Sequence, residues 1–390
     1  MYGPDQHLSS HIHHSDLVHD STLHVIRVIS NPAQYHSRYR LAHQQEEFLK
    51  HCPNIKVYTV EAAYGDRHHE IIELSNPHHM LVKIKSEIWI KENMINLGVR
   101  HLLPTNWKYL AWIDADVVWH KHNWGINTLH QLQHYPVIQP WQDGLDLGRY
   151  GNVLSHFKSF GFQHFRQFEE ELRVCMTGRN SAEGWQNTMA ASAMPKGDYR
   201  RYGHTGYAWA CTRHFWENIG GLMDFCILGS ADHNMALSFI GRVEKSIHQK
   251  MTEGFKRKCH EFQERALRVS HHEVGCTTDR LEHFFHGSKK RRFYGERWQI
   301  LIHYKFDPYK DLMYDDQGII RLVGKPGLEQ AIRHYNRSRH EDSIDEGMDP
   351  EPGRNLVDQK KSSENTFKVI SSTHGHHGHG GGPPISYEPR

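Results

Sequence analysis

The stretch KYLAWIDADVVW, residues 108–119, decides the fold of this sequence. Its first half is almost wholly apolar, which predicts a buried strand over residues 108–113. Two acids, Asp114 and Asp116, follow that strand directly. In open α/β sheets ligands bind outside the carboxyl ends of the strands, so we expect both acids in a site. Alternation along an extended chain predicts that the two side chains point the same way.

The chain before this strand predicts a parallel sheet. Residues 23–30 (LHVIRVIS) are rich in β-branched residues and end in an Asn-Pro turn. Residues 37–50 have the spacing of a helix, and residues 56–61 have the composition of a second strand. A strand, a helix and a strand in this order form a βαβ unit with parallel strands. We therefore predict an α/β architecture with a mixed, mainly parallel sheet flanked by helices.

Later segments add helices and strands to this pattern. The spacing in residues 81–97 predicts a helix that Gly98 ends as a cap. Residues 135–139 predict a strand, and residues 234–270 predict a helical stretch. Residues 281–285 predict a short strand that leads into a histidine and a basic run.

The composition changes at both ends of the sequence, which predicts one folded domain between polar tails. We assign residues 1–20 to a polar N-terminal extension and residues 21–335 to the folded domain. Residues 336–390 predict a disordered tail rich in His, Gly and Pro. Within the domain, residues 152–200 match no motif and predict an insertion.

The charge balance and the apolar pattern exclude several functional classes. Lysine and arginine total 47 and aspartate and glutamate 45, a formal net charge of +2 that does not indicate a nucleic-acid binder. The sequence shows no secretory leader and no long apolar run, so we expect a soluble, cytoplasmic protein without a membrane span. Its six cysteines form no C-x-x-C pair, which predicts buried free thiols.

The acids that follow the buried strand predict a divalent metal site. Carboxylate oxygens suit Mn²⁺ or Mg²⁺, and such an ion stabilises a diphosphate as it leaves. One of Asp114 and Asp116 would coordinate the ion while the other addresses a ribose or a metal-bound water. A D-x-D sequence also occurs in solvated loops with two exposed acids. Its position directly after a buried strand favours the metal site.

A second cluster begins at His286, which follows the last predicted strand. The imidazole can complete a metal shell, and Gly287 allows the backbone to approach a phosphate. Lys289 and Arg292 belong to a basic run that can neutralise a diphosphate. The alternative is an ordinary histidine at a strand end, followed by a solvated or nucleic-acid-facing basic patch.

A third cluster combines glycines, aromatic residues and an acid. Gly206 and Trp209 lie in a block where a sugar ring can rest against the backbone. Asp232 begins a predicted helix, where it can take a proton from an acceptor hydroxyl. The alternative for Asp232 is a helix N-cap, and the two roles are compatible.

The sequence resembles GT-A glycosyltransferases, the nucleotide-diphosphosugar transferases, of a group common among viral and bacterial proteins. The resemblance spans about residues 23–310 and rests on four motifs. They are W-I-D-A-D at 112–116, G-Y-A-W at 206–209, G-G-L-x-D at 220–224 and H-G-x-x-x-x-R-x-Y at 286–294.

The resemblance implies a single Rossmann-like GT-A domain and a nucleotide-sugar donor, with a UDP-sugar preferred. It implies that Asp116 and His286 bind the metal, with Asp114 near the metal and the ribose. It also implies that Arg38, in the loop after the first strand, contacts the donor.

For the acceptor side, the resemblance implies contacts from Trp209 and a base at Asp232. The expected reaction is metal-dependent transfer of a sugar to a saccharide or other hydroxyl, with inversion at the anomeric carbon. A viral protein of this kind would act in the host cytoplasm.

Three alternatives remain open from the sequence. A bacteriophage-type enzyme would glycosylate hydroxymethylated bases in DNA, with the basic runs following the phosphate backbone. A catalytically silent carbohydrate- or nucleic-acid-binding module would keep the fold alone. A phosphohydrolase or nucleotidyltransferase would use the same acids and release phosphate or pyrophosphate.

Overall fold

A seven-stranded sheet forms the centre of the computed structural model, which describes residues 22–164, 203–293 and 296–343. The strands are β1 Leu23–Ile29, β2 Ile55–Tyr64, β3 His79–Ile84, β4 Tyr109–Ile113, β5 Val117–Trp119, β6 Val137–Gln139, β7 Asp143–Leu147, β8 Val153–Lys158, β9 Ala208–Thr212, β10 Gly275–Cys276, β11 Arg280–His283, β12 Leu312–Tyr314 and β13 Ile320–Leu322. The helices are α1 His36–Leu49, α2 Lys91–Leu102, α3 Trp124–Gln131, α4 Arg213–Ile219, α5 Ala231–Phe239, α6 Glu253–Ser270, α7 Glu296–His303, α8 Pro308–Asp311 and α9 Pro326–Ser338. Two 3₁₀ turns cover Val243–Lys245 and Lys289–Arg292.

The central sheet is mixed and mainly parallel, as the sequence predicts. Its strand order is β10-β6-β9-β4-β1-β2-β3. All neighbouring pairs are parallel except those of β9, which is antiparallel to both β4 and β6. A four-stranded sheet of order β5-β11-β7-β8 and the β12–β13 pair complete the described strands.

Strand β1 lies at the middle of the core, and all seven of its residues are buried. Alternate side chains enter two apolar clusters on opposite faces of the sheet. Ile26 and Val28 pack in the cluster that contains Met94 of α2. Leu23 and Val25 pack in the cluster that contains residues of α3. Because helices cover both faces, the strand has buried apolar residues on both sides, and its two polar residues, His24 and Arg27, are buried as well.

The predicted helix over residues 81–97 is wrong in its first half. The structure has the edge strand β3 there, and α2 starts only at Lys91. Val82 and Ile84 are buried while Lys83 between them is exposed, which is the two-residue period of a strand. The spacing of Ile84, Ile88 and Ile95 suggests one helix. The three residues in fact lie at the end of β3, in the segment that follows it and in α2.

Gly98 lies inside α2 and does not end it, so the predicted cap is also wrong. A Cβ at this position would lie 2.9 Å from Val60 Cγ2 and 3.3 Å from Ile26 Cδ1. The glycine therefore allows α2 to approach β1 and β2 closely.

Two predicted domain boundaries also differ from the structure. The disordered tail was expected from residue 336, but α9 continues to Ser338 and Glu341 is buried. The insertion was expected from residue 152, but β8 pairs with β7 in the four-stranded sheet. In both places the segment is polar in composition yet packs on folded elements. The predictions for residues 1–20, 165–200 and 344–390 lie outside the described residues.

The thiol prediction is confirmed for the cysteines that the structure describes. Cys52, Cys211, Cys226 and Cys259 are buried and free, and Cys276 is free and partly buried. Burial raises the pKa of the Cys52 thiol to about 11. Within the described ranges, no helix has both the length and the apolar character needed to cross a bilayer.

We expect Gly98→Ala to destabilise the fold. The added methyl group meets Val60, and overpacking costs about 1–3 kcal/mol. That cost exceeds the roughly 1 kcal/mol that alanine gains over glycine in a helix. Urea unfolding measures the net loss. In a Val60→Ala background the same change should be neutral or stabilising, and stabilisation of the otherwise unchanged chain would contradict the packing argument.

Candidate active site

The pairing of β11 with β5 brings distant parts of the chain together after β4. In this antiparallel pair His283 lies opposite Val117. The Phe284 amide donates a hydrogen bond of 2.9 Å to the carbonyl oxygen of Asp116. His286 follows in the same loop. The sheet therefore places two imidazoles beside one acid of the D-x-D motif.

Three side chains converge at this point. The Asp116 Oδ2 atom lies 3.0 Å from His286 Nε2 and 3.5 Å from His283 Nε2. The two Nε2 atoms are 3.2 Å apart. These three residues form the one group in the described ranges with three potential ligand atoms all within 4.8 Å of one another. Among the residues that the structure describes, no group forms a hydrogen bond with the buried Asp116 Oδ1 atom, so this oxygen can bind a cation.

A carboxylate lies behind each of the two imidazoles. His283 Nδ1 is 2.9 Å from Asp146 Oδ1, and His286 Nδ1 is 3.4 Å from Glu341 Oε2. Metal-binding histidines are commonly held this way, because the outer carboxylate fixes the ring orientation and leaves Nε2 for the ion. The two rings thus direct their Nε2 atoms toward the same acid.

Asp146 is held in place by several donors. It is the register partner of His283 in the parallel β7–β11 pair. The Tyr207 hydroxyl donates to it at 2.8 Å and the Ser155 hydroxyl at 2.7 Å, and Lys289 forms an ion pair with it. Burial favours the neutral acid, but His283 and Lys289 outweigh it and hold the pKa of Asp146 well below its usual range. Asp146 is therefore a fixed anion.

The charge on His283 follows from its neighbours. Burial lowers the pKa of this imidazole, but Asp116 and Asp146 outweigh burial and raise it to about 9. In the absence of an ion the ring is therefore protonated at neutral pH. A metal ligand must be neutral, so ion binding at this point releases a proton.

Asp114 does not share the orientation of Asp116. Its carboxylate pairs with the ammonium group of Lys91, the first residue of α2. Burial is the main cause that raises the pKa of Asp114, the nearby acids add to this, and Lys91 opposes it. The predicted common orientation is wrong because residues 114–116 form a turn between β4 and β5, not an extended strand. The turn directs only Asp116 to the imidazoles.

Asp232 lies in the first turn of α5, beside Gly206. A Cβ at Gly206 would lie 2.9 Å from Asp232 Oδ2, so the carboxylate rests against the glycine backbone. Asp232 is close enough to Lys91 and Asp114 for its charge to affect the pKa of both. The position before α5 is occupied by Ser230, so the alternative that Asp232 is the N-cap is wrong.

Trp209 does not reach this site. It lies on β9 in the main apolar cluster and is only 2% exposed. Its Nε1 donates a hydrogen bond of 2.7 Å to the Thr205 carbonyl, and its ring packs edge-on against Phe239. A side chain that is enclosed in this way has no surface to offer an acceptor, which corrects the predicted contact.

Arg38 lies in the first turn of α1 and not in the loop after β1, where the sequence places it. It donates to both carboxylate oxygens of Glu341, at 2.5 and 2.7 Å, and to the Ser30 carbonyl. Its guanidinium is close enough to Asp116 for that charge to favour its cationic form. Arg38 also lines a cleft beside the loop after β1.

The residues after β11 face inward. Arg292 is 8% exposed, and its Nη2 lies 3.1 Å from His286 Nε2. Lys289 pairs with Asp146. Gly287 has a φ of 83°, and a Cβ there would lie 2.9 Å from the Glu341 Cα, so the glycine packs on the chain that follows α9. Lys289 and Arg292 therefore belong to the site and not to a solvated patch.

Four residues of the site have no sequence prediction behind them: His283, Asp146, Lys91 and Glu341. The sequence does indicate His283, because it lies in the predicted strand over residues 281–285, just before His286. Nothing in the sequence indicates the other three, since each reaches the site only through tertiary packing.

Comparisons with known proteins give only structural neighbours. No protein-family model and no curated protein matches the sequence. Among solved structures, the chain is similar to the catalytic domain of Drosophila β1,4-galactosyltransferase 7 in complex with xylobiose. That match has 12% identity and a TM-score of 0.33, and covers 79% of this chain and 98% of the other.

A mutant of the same Drosophila enzyme in complex with manganese, UDP-Gal and xylobiose matches at 11% identity and a TM-score of 0.33, covering 79% and 99% of the two chains. A nucleotide-diphospho-sugar transferase from Desulfovibrio desulfuricans, named as putative, matches at 10% identity and a TM-score of 0.28, covering 67% and 80%. Because these scores are low, we argue function from the geometry of the site.

Ion binding tests which side chains form the metal group. We expect Asp116→Asn, His283→Gln and His286→Gln each to weaken Mn²⁺ binding by more than about 10-fold. A loss of about 10-fold is typical when only the hydrogen-bond partner of a metal ligand is removed. Asp114→Asn should bind close to the original affinity because its carboxylate faces Lys91. The free Mn²⁺ signal in electron paramagnetic resonance measures affinity, with thermal unfolding as the folding check. Equal losses in all four variants would contradict this assignment.

Proposed function

We propose that this chain is a metal-dependent glycosyltransferase that moves a sugar from a nucleoside-diphosphate sugar to an acceptor hydroxyl. The observation that supports it is the group Asp116, His283 and His286 at the carboxyl end of the central sheet. Ligands of α/β proteins bind at that end. Arg38 and Arg292 add positive charge where a diphosphate would lie.

We propose Mn²⁺ as the ion, held by Asp116, His283 and His286. A carboxylate and diphosphate oxygens suit both Mn²⁺ and Mg²⁺. Of these two, Mg²⁺ keeps several waters and binds few protein ligands, so a site with two imidazoles suits Mn²⁺ better. When bound, such an ion acts as a Lewis acid that stabilises the departing diphosphate.

The cleft beside the loop after β1 is the proposed nucleoside site. Its walls come from the loop after β1, from α9 and from the segment before α2. Tyr35 and Trp89 offer partly exposed aromatic faces for a base, and Arg38 connects the cleft to the acid of the metal group. We propose uridine as the nucleoside because UDP-sugars are the most frequent donors in the GT-A family that the sequence resembles.

Asp232 is the proposed general base. The acceptor oxygen attacks the anomeric carbon, the bond from that carbon to the diphosphate oxygen breaks, and the hydroxyl proton moves to Asp232. A single displacement of this kind inverts the anomeric configuration. Gly206 supports the role because a side chain there would displace the carboxylate, and Asp232 is only partly buried, so an acceptor can reach it.

A DNA acceptor has little support from the site. Lys289 and Arg292 contact Asp146 and His286 instead of facing outward. On α6, Lys256 pairs with Glu253 at 2.7 Å. We therefore propose a saccharide hydroxyl as the acceptor and include hydroxymethylated DNA only as a comparison.

A screen of nucleotide sugars with Mn²⁺ tests the proposed activity. We expect release of a nucleoside diphosphate that depends on both Mn²⁺ and a saccharide acceptor. Release of free phosphate or pyrophosphate would indicate a hydrolase or nucleotidyltransferase and would contradict the proposal.

Replacement of the base separates its role from that of the metal group. We expect Asp232→Asn to lower kcat by about 10²–10⁴-fold, the usual contribution of a general base, with Mn²⁺ affinity unchanged. Asp116→Asn should lose both transfer and Mn²⁺ binding. Glu217→Gln, an exposed change on α4 at the far end of β9, is the control and should match the original chain. Near-normal transfer by Asp232→Asn, or a product with retained configuration, would rule out this base.

A further inference from the structure

Glu341 is a buried acid that contacts both the proposed donor cleft and the proposed metal group. Its side chain is 0% exposed. It accepts two hydrogen bonds from Arg38 and pairs with Arg339 at 2.8 Å. Its Oε2 also lies 3.4 Å from His286 Nδ1. A single carboxylate therefore connects the proposed donor-binding arginine with a proposed metal ligand.

The short segment that carries Glu341, residues 339–342, is fixed on both sides. Asp342 accepts hydrogen bonds from the His36 and Ser37 amides at the start of α1, at 2.9 and 2.7 Å. The Tyr35 hydroxyl donates to the Asn336 carbonyl and accepts from the His340 amide. These contacts hold the segment against the loop after β1.

The other side of the segment packs on the loop after β11. Only a glycine fits at position 287, because a Cβ would lie 2.9 Å from the Glu341 Cα and 3.0 Å from the His340 carbonyl oxygen. The backbone of the segment therefore touches the residue next to His286. The segment thus bridges two loops that belong to different strands of the fold.

The His286 ring lies between the metal group and the segment. Its Nε2 is 3.0 Å from Asp116 Oδ2 and 3.1 Å from Arg292 Nη2. Its buried Nδ1 lies on the other side of the ring, 3.4 Å from Glu341 Oε2. Glu341 is therefore the acid next to the outer side of this ring.

Resting on the proposed function, we propose that Glu341 is a positioning residue for the metal and donor sites. It supports the His286 ring from the Nδ1 side, so that Nε2 stays directed at Asp116, and it holds the Arg38 guanidinium at the donor cleft. The segment after α9 then belongs to the metal and donor sites. Removal of an outer carboxylate of this kind weakens metal binding by about 10- to 100-fold.

Three full-length variants test this role. Glu341→Ala removes the acceptor, and Glu341→Gln keeps the shape and one acceptor oxygen. Glu217→Gln is the matched control, because it neutralises an exposed glutamate on α4. Mn²⁺ affinity without donor, UDP affinity with saturating Mn²⁺, and thermal unfolding are measured for each.

We expect Mn²⁺ affinity to fall about 10- to 100-fold in Glu341→Ala and by a smaller factor in Glu341→Gln. UDP affinity should fall in both, because Arg38 loses its charged partner. The control should match the original chain in every measurement. Unchanged Mn²⁺ affinity in a folded Glu341→Ala or Glu341→Gln protein overturns the proposal.

Failure of the positioning role and failure of the proposed function can be told apart, because Mn²⁺ affinity is measured without donor or acceptor. If the original chain binds Mn²⁺ but transfers no sugar, the proposed function fails, while the Mn²⁺ affinities of the two Glu341 variants still decide the positioning role. If the original chain binds no Mn²⁺, both proposals fail.

Discussion

The antiparallel pairing of β5 with β11 is the constraint on which the site depends. Its register places His283 opposite Val117, one residue after Asp116, and the Phe284 amide binds the Asp116 carbonyl oxygen. A slip of one residue would turn every side chain of β11 to the other face of the sheet. The imidazoles and the acid then could not meet. Backbone hydrogen bonds of the sheet, rather than a flexible loop, therefore set the spacing of the proposed ligands.

Two buried acids of this site pair with cationic side chains. Asp146 pairs with Lys289, and Glu341 pairs with Arg38 and Arg339. Removing charges from water is costly, and a buried ion pair rarely stabilises a fold more than apolar packing would. Each acid also lies behind an imidazole whose Nε2 is near Asp116, which indicates that the arrangement serves binding. Perturbed carboxylates and imidazoles cluster in this way at functional sites.

The sequence pattern predicted the elements that are buried on all sides. It failed where the apolar residues fit both the period of a helix and the period of a strand. The apolar run before Asp114 fits only a buried strand, and β4 is found there. Residues 81–97 fit a helix as well as a strand followed by a helix, and only packing against β2 decides between them. Trp209 beside glycines resembles a sugar platform, but two-sided burial of β9 makes it a core residue. Glu341 left no local pattern, because it is joined to His286 only through tertiary structure.

The most direct test of the central claim is an anomalous diffraction map at the manganese edge from crystals grown with Mn²⁺ and UDP. We predict one peak at ordinary coordination distances, about 2.0–2.3 Å, from Asp116, His283 and His286, with diphosphate oxygens completing the shell. A peak bound by Asp114 without the imidazoles, or no peak between the acid and the two rings, would contradict the proposed metal centre and the function built on it.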